Sequence, residues 1–373
     1  MLQVDAFFNG QQIGNVANAL VSDPHILRNG RMEPGAMRPY YRRDGRPVIA
    51  VNNGEKDKQG NLKLIEVPVG NATLRKDEWE AYDKTLLETA RIRLVGWQDL
   101  QNKNLMYNIG NGFAKTVLAY EEIGEMKGAE MSMDGTARAK ADRPVYNTKY
   151  LPLPIVHYDF SVNARVLAES RQTGTPIDTV AAQEAGLAIS EFLEEMLFVG
   201  PDSSTYSFGG GTIYGYTNFP GRITGSLTAN WDSMSDDSVN TVGEKILSDV
   251  LDMKQDSIDA LHYGPWILYV PTAYETTMEK DYNSGRSSSP SIRQRIENVS
   301  GIEAVKVADK LPANNVVLVQ MTSNVVRVVN GMPLSNVEWK TGDQMVNHFK
   351  AMTIQVPQLR RDANGNTGIV HYT

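Results

Sequence analysis

Cysteine is absent from the sequence. That absence removes structural disulfides, thiolate metal ligands and cysteine nucleophiles together. Histidine is scarce, and His25, His157, His262, His348 and His371 stand far apart, outside any HExxH or comparable two-ligand helix pattern. His157 and His348 fall in strand-like segments, where a hydrogen-bonded structural role is expected. No GxSxG string is present, so a nucleophile elbow is missing as well. No run approaches the ~18 consecutive apolar residues of a membrane span. The opening MLQVDAFFNGQQ lacks the basic and apolar regions of a secretory leader. The expectation is a cytoplasmic protein with no membrane partner, in which the sequons at Asn71 and Asn298 are chance matches. A net charge of −7 is too modest to draw the whole chain to nucleic acid or to an acidic bilayer.

What is present is enough chain for a sizeable core. The 373 residues, 41% of them hydrophobic, suit two domains. The most enzyme-like string is GGGTIYGYTN at 209–218. A phosphate loop needs a strand, then glycines, then a helix whose N-terminus faces the anion. Here the glycines follow a helical pattern and precede an irregular segment. The first cation after them is Arg222, and no Lys-Ser/Thr follows. The string is expected to be a turn out of the long helix, a hinge between domains with Ile213 and Tyr214 packed beneath it.

Carboxylates form two loose groups. Glu191, Glu194 and Glu195 read as the solvated face of a helix. Asp232, Asp236 and Asp237 lack the calcium-loop spacing with its glycine and closing glutamate, and read as a solvated loop. A hydrolase using two distant carboxylates stays open, with no constellation to support it. No catalytic, metal or cofactor residue is expected, and no cofactor.

The organisation along the chain is more distinctive. Residues 1–75 show no sustained helical or strand period, and six arginines (Arg28, Arg31, Arg38, Arg42, Arg43 and Arg46) crowd a Pro- and Gly-rich stretch. With Tyr40 and Tyr41 this reads as an arm docked on protein rather than on nucleic acid. A helix is predicted over 77–95, with Asp77 as cap, Glu80 at the capping-box position and Trp79, Tyr82, Leu86 and Ala90 on its apolar face. The segments 113–123 and 152–162 read as two strands of a hairpin with a long polar outer part. Such a ribbon is marginal alone and wants a partner surface. The clearest helix spans 175–201, with Thr175 as cap, Pro176 at its first position and Gly200-Pro201 as its stop. Ala181, Ala185, Ile189, Phe192 and Met196 give it an apolar stripe long enough to span a domain. An α/β alternation follows: helices over 238–261, 272–282 and 291–299, strands over 266–270, 302–307, 315–320 and 325–330. The tail reads as long strands joined by an Asn364-Gly365 turn.

This combination, in this order, resembles the shell proteins of the Hong Kong 97 type, the major capsid proteins of tailed bacteriophages and the related encapsulins. The resemblance rests on LRKDEWEAYDKTLLETARIRLVGW (74–97), on AAQEAGLAISEFLEEMLFVG followed by IYGYTN, on SIRQRIENVSGIEAVKVADKLPANNVVLVQ, and on HFKAMTIQVPQLRRDANGNTGIVH. It covers roughly residues 74–373 and implies an α+β HK97-like capsid fold. Residues 1–75 would be an N-terminal arm, 76–112 a helix-containing lead-in and 113–162 the extended loop lying over the next subunit. A peripheral domain would combine 163–215 with 332–373 around a spine helix at 176–199, and 216–331 would be the axial domain. Contact between subunits would fall on Arg38, Tyr40, Arg42 and Arg43 of the arm and Met131, Met133, Arg138 and Lys140 of the loop. The axial tip would hold Leu227, Trp231, Asp232 and Asp236.

The implied function is a non-enzymatic major capsid protein, assembling into pentamers and hexamers around double-stranded DNA in a bacterial cytoplasm. Its implied partners are further copies of itself, a separate scaffolding protein, a portal, a decoration protein and non-specifically packaged DNA. An encapsulin-type nanocompartment shell is the alternative. A covalent cross-link through Lys127, Lys140 or Lys149 and Asn347 is not selected by any motif, and non-covalent assembly is expected.

Overall fold

The computed structural model describes residues 5–8, 11–15, 40–42, 44–56, 62–68, 74–75, 78–82, 84–85, 95–110, 112–123, 146–173, 179–201, 204–237, 241–283, 289–340, 345–362 and 364–373. The chain opens with a hairpin, β1 (Asp5–Phe8) and β2 (Gln11–Asn15). A four-stranded sheet follows, built from β3 (Tyr40–Tyr41), β4 (Pro47–Lys56), β5 (Leu62–Pro68) and β6 (Leu74–Arg75) in the order β5-β4-β3-β6. The expectation that 1–75 lacks strand periodicity is therefore corrected. The arginine-rich composition around 28–46 masked the runs PVIAV and LKLIEV, both rich in β-branched residues and leucine. Val48 and Ile49 are buried, and Tyr40 packs on the main core.

Residues 78–82 and 84–85 are helical, and Trp79 and Tyr82 are buried as expected; Asp77, Leu86 and Ala90 lie outside the described residues. Helix α1 (Val95–Asn102) leads to β7 (Met106–Asn108). Strand β8 (Val117–Ile123) then pairs antiparallel with β9 (Tyr146–Pro152), Val117 opposite Pro152 and Ile123 opposite Tyr146. Here the expected hairpin partner is corrected. Most of 152–162 belongs to β10 (Val156–Asn163), which joins a different sheet. Both segments carry the same strand signal, and Pro152 and Pro154 mark the break between them.

After α2 (Ala164–Thr173) comes the long helix α3 (Val180–Phe198). It starts later than expected, with Thr179 at the N-cap; Thr175 and Pro176 lie outside the described residues. At ~1.5 Å per residue its 19 residues run about 28 Å. A short hairpin, β11 (Tyr206–Phe208) and β12 (Gly211–Ile213), precedes β13 (Ile223–Gly225). Helix α4 (Val242–Asp259) opens on a capping box in which Thr241 and Glu244 satisfy each other's backbone N–H. Strand β14 (Trp266–Pro271) is followed by the one-turn α5 (Glu275–Met278) and by α6 (Ile292–Glu297), itself capped by Ser291 and Gln294. The chain ends with β15 (Ile302–Ala308), β16 (Val316–Gln320), the long β17 (Val326–Lys340) and β18 (Val346–Leu359), and β19 (Ile369–Tyr372).

Two larger sheets organise these elements. One runs β10-β18-β17-β7, and the other β13-β19-β16-β14-β15. The C-terminal strand thus belongs to the second sheet, between β13 and β16, while β18 lies in the first. Strand alternation explains how the sheets share the interior. Along β14, Ile267 and Tyr269 point into the main core with α3 and β18, while Trp266, Leu268 and Val270 point into a second core with α4 and α6. On β16, Val317 and Val319 face the first and Val316 and Leu318 the second. A strand apolar on both faces must be covered on both, so the five-stranded sheet is a wall common to two cores.

Candidate assembly surfaces

The spine helix α3 is fixed at its C-terminal end by the chain that follows it. Gly200 sits at φ +99°, and a Cβ there would lie 2.0 Å from the Ser204 carbonyl oxygen. The backbone N–H groups of Tyr216 and Thr217 donate to Leu197 O and Phe198 O, two carbonyls the helix leaves open. Asn218 completes the stop: its amide donates to Val199 O at 2.6 Å and Ser204 O at 3.0 Å, and its oxygen accepts from Gly215 N at 2.8 Å. The reversal therefore lies at Gly200 and 215–218 rather than at the three glycines. Gly209 and Gly210, at φ +59° and +80°, instead form the two-residue tip of the β11–β12 hairpin. That hairpin lies against the β8–β9 ribbon, where a Cβ on Gly211 would meet the Tyr150 carbonyl oxygen at 2.1 Å. Ile213 is buried and Tyr214 half-buried, as expected.

Glu194 contradicts the reading of a solvated acidic face. It is 3% exposed, and its carboxylate accepts from the backbone N–H of Gly96 at 2.9 Å and Trp97 at 3.4 Å, capping the first turn of α1 from another helix. Burial raises its pKa to about 7; the two N–H donors lower it, and Asp99 and Asp309 raise it further. Glu191 and Glu195 do face outward, beside Lys310 at 3.6 and 3.9 Å. A turn along α1, buried Asp99 accepts from the Tyr269 hydroxyl at 2.8 Å and from Lys306. These bonds tie α1 to the spine helix on one side and the shared sheet on the other. The sequence signal for them was weak: an acid in an apolar stripe (Glu194, with Leu193 and Leu197) and one in an apolar turn (Asp99, between Trp97 and Leu100).

The expected site residues separate in space. Tyr40 donates to Glu66 at 2.8 Å and Arg42 sits 3.2 Å from the same carboxylate, so both engage β5 of their own chain. Arg38, Arg43, Met131, Met133, Arg138 and Lys140 lie outside the described residues. Of the expected axial-tip set, Asp232 is exposed, Leu227 is half-buried against the second core and Asp236 accepts from Val242 N at 2.7 Å, at the start of α4. Trp231, expected at the tip, lies inside. It is fully buried, donates to Asp249 at 2.8 Å and packs on Tyr274 at 5.3 Å. A Trp in a polar run reads as a loop tip, yet its indole finds a carboxylate partner inside.

His371 is buried, with Nε2 2.7 Å from Asn315 Oδ1 and Nδ1 accepting from Arg222 at 3.2 Å. Burial, then Arg222, pulls its pKa down to about 4. Among the described residues no three His, Asp or Glu are grouped to hold a metal, and no helix is long and apolar enough to cross a membrane.

Some of what lies open is apolar and aromatic. Tyr146 and Tyr150 on the ribbon are 56% and 45% exposed. A groove of about 350 Å³ runs between β10 and the spine helix, lined by Ile155, Tyr158, Ala188, Phe192 and Tyr206. A family model described as "Family of unknown function (DUF6260)" matches residues 69–372. The chain belongs to this family.

For this DUF6260 member, similar solved structures include a virus-like particle from Pyrococcus furiosus, 17% identical, covering 79% of this chain and 99% of that one with a TM-score of 0.54. The capsid of Myoviridae phage XM1 is 12% identical over 74% and 90% of the two chains, also with a TM-score of 0.54. The capsid of a native GTA particle is 13% identical over 76% and 89%, with a TM-score of 0.50. The fold is the α+β fold of Hong Kong 97-type capsid proteins.

Proposed function

We propose that this protein is a major capsid protein, a structural brick that assembles into pentamers and hexamers of an icosahedral phage head around double-stranded DNA. The observation that carries the reading is the β8–β9 ribbon. In a fold shared with shell proteins, this two-stranded ribbon is seated at its root on the β11–β12 hairpin and on the main core through Leu118, Tyr120 and Leu151, and it carries exposed Tyr146 and Tyr150. A two-stranded element gains stability from a surface it can lie on, and a second copy supplies one. The ribbon, within 113–162, is assigned as the extended loop. Residues 1–75 are assigned as the N-terminal arm, and the shared sheet with α4 and α6 as the axial domain. The role is structural rather than enzymatic: the buried acids Asp99, Glu194 and Asp249 are held by the protein's own donors.

A separate scaffolding protein, a portal and a decoration protein are the expected partners, with assembly in a bacterial cytoplasm and residence in the virion. A second reading, an encapsulin-type shell enclosing protein cargo, is favoured by the 99% coverage of the Pyrococcus furiosus particle chain. Electron microscopy of the expressed protein tests both. Closed shells larger than the smallest icosahedron support the capsid reading, and small uniform cargo-filled shells the second. A chain that stays monomeric with and without crowding agents contradicts both.

A further inference from the structure

At the root of the ribbon lies a cavity of about 190 Å³ lined by Tyr120, Glu122, Lys149, Thr212, Tyr214 and Arg361. Arg360 and Arg361 leave the end of β18, and Arg327 stands opposite Gln358 on β17. All three arginines act electrostatically on Tyr120, a residue of the cavity wall, and burial, then repulsion from Arg360, lowers the pKa of Arg327. Aromatic rings hold two of them: Arg327 stacks over Tyr107 at 4.1 Å and Arg361 over Phe219 at 5.1 Å. Stacking fixes a guanidinium without neutralising it, and Arg327 is further held by the bond its Nε–H donates to Gln358 Oε1. Among the described residues none of the three arginines has an ion pair. In the cavity wall Glu122 is the one carboxylate set against Lys149 and this arginine group.

We infer that this pocket is a contact between copies, in which the arginines receive a carboxylate of a second copy of the chain. The inference rests on the shell reading above. Three observations select that occupant. The chain is net −7, so a second copy presents a surplus of acids, among them exposed Asp232, Asp252 and Glu275, none of which has an ion pair. A carboxylate matches the planar arginine fork. And the cavity adjoins Tyr150, so a copy that covers the exposed ribbon tyrosines also covers the pocket. Nucleic acid offers phosphates to the same fork, but the acidic chain repels it.

The test compares wild type with Arg360→Gln, Arg361→Gln and the double variant, with Arg→Lys at both positions as a charge-retaining control. Assembly is followed by light scattering and electron microscopy, fold by circular dichroism, and nucleic-acid binding by anisotropy of a labelled DNA duplex. The single variants remain readable should the double variant misfold. Charge at an interface acts mainly on association rate and is screened by salt, so the variants should assemble roughly tenfold more slowly at ~50 mM salt, the gap narrowing at ~500 mM. Lysine should restore part of the rate. If wild type forms shells and the glutamine variants match its rate, the contact is refuted while the shell reading stands. Loss of duplex binding with assembly unchanged refutes it in favour of phosphate. Wild type that never assembles overturns both.

Discussion

Replacing Glu194 with glutamine removes a charge from a site 3% exposed to water while keeping an acceptor for the Gly96 N–H. In the folded chain the carboxyl titrates near pH 7, against 4.5 when free, chiefly because burial penalises the charged form. A folded pKa above the unfolded one means the native state binds the proton more tightly. The stabilisation is present in full below pH 4.5 and is lost as pH rises through 7. At about 1.4 kcal/mol per tenfold shift in proton affinity, the gap corresponds to ~3 kcal/mol. Glutamine cannot titrate, so this part of the pH dependence disappears in Glu194→Gln. The assay is thermal unfolding of both proteins at closely spaced pH values from 5 to 8. Other titrating groups, His371 among them, are common to both and cancel in the difference. Relative to the variant, wild type should gain several degrees as pH falls from 8 to 5. Parallel curves would refute the reasoning and mean that the two backbone N–H donors outweigh burial.

Trp231→Ala should destabilise the second core by about 3–5 kcal/mol, as large aromatic deletions do, measured as a lower unfolding midpoint; a midpoint within a degree of wild type would return Trp231 to the surface. Asn218→Ala strips the spine helix end of its side-chain bonds and should cost about 1–2 kcal/mol, with faster amide exchange at 215–218 as the local signature. Gly210→Val forces a β-branched residue to φ +80° at the hairpin tip. The variant should lose shell formation or shell stability more than monomer folding, compared by microscopy and circular dichroism. Deleting residues 1–39 should leave the two cores folded and reduce shell yield; unchanged yield would remove that part of the chain from the arm.

Sequence reasoning reached the elements with strong periodicity and missed what depends on partners far along the chain. The spine helix, α4, and strands β14 to β16 were legible because their apolar positions repeat at the period of the element. The glycines at 209–211 were legible as a turn, but not as which turn. That depends on β12 meeting β9, a contact some 60 residues away. Strand β10 reads as the hairpin partner because strand propensity carries no address, and the register that decides its pairing is set by β18. The burial of Glu194, Asp99 and Trp231 escapes the sequence for one shared reason. Each is a polar-capable group whose partner lies on another element, Gly96, Lys306 and Asp249 respectively, so burial could not be inferred from neighbours in sequence.

The central claim is that this chain builds shells. Electron microscopy of the full-length protein, expressed alone and with the products of neighbouring genes, addresses it most directly. The account predicts closed particles with pentameric and hexameric rings in the wall; a uniform population of monomers under every condition would contradict it.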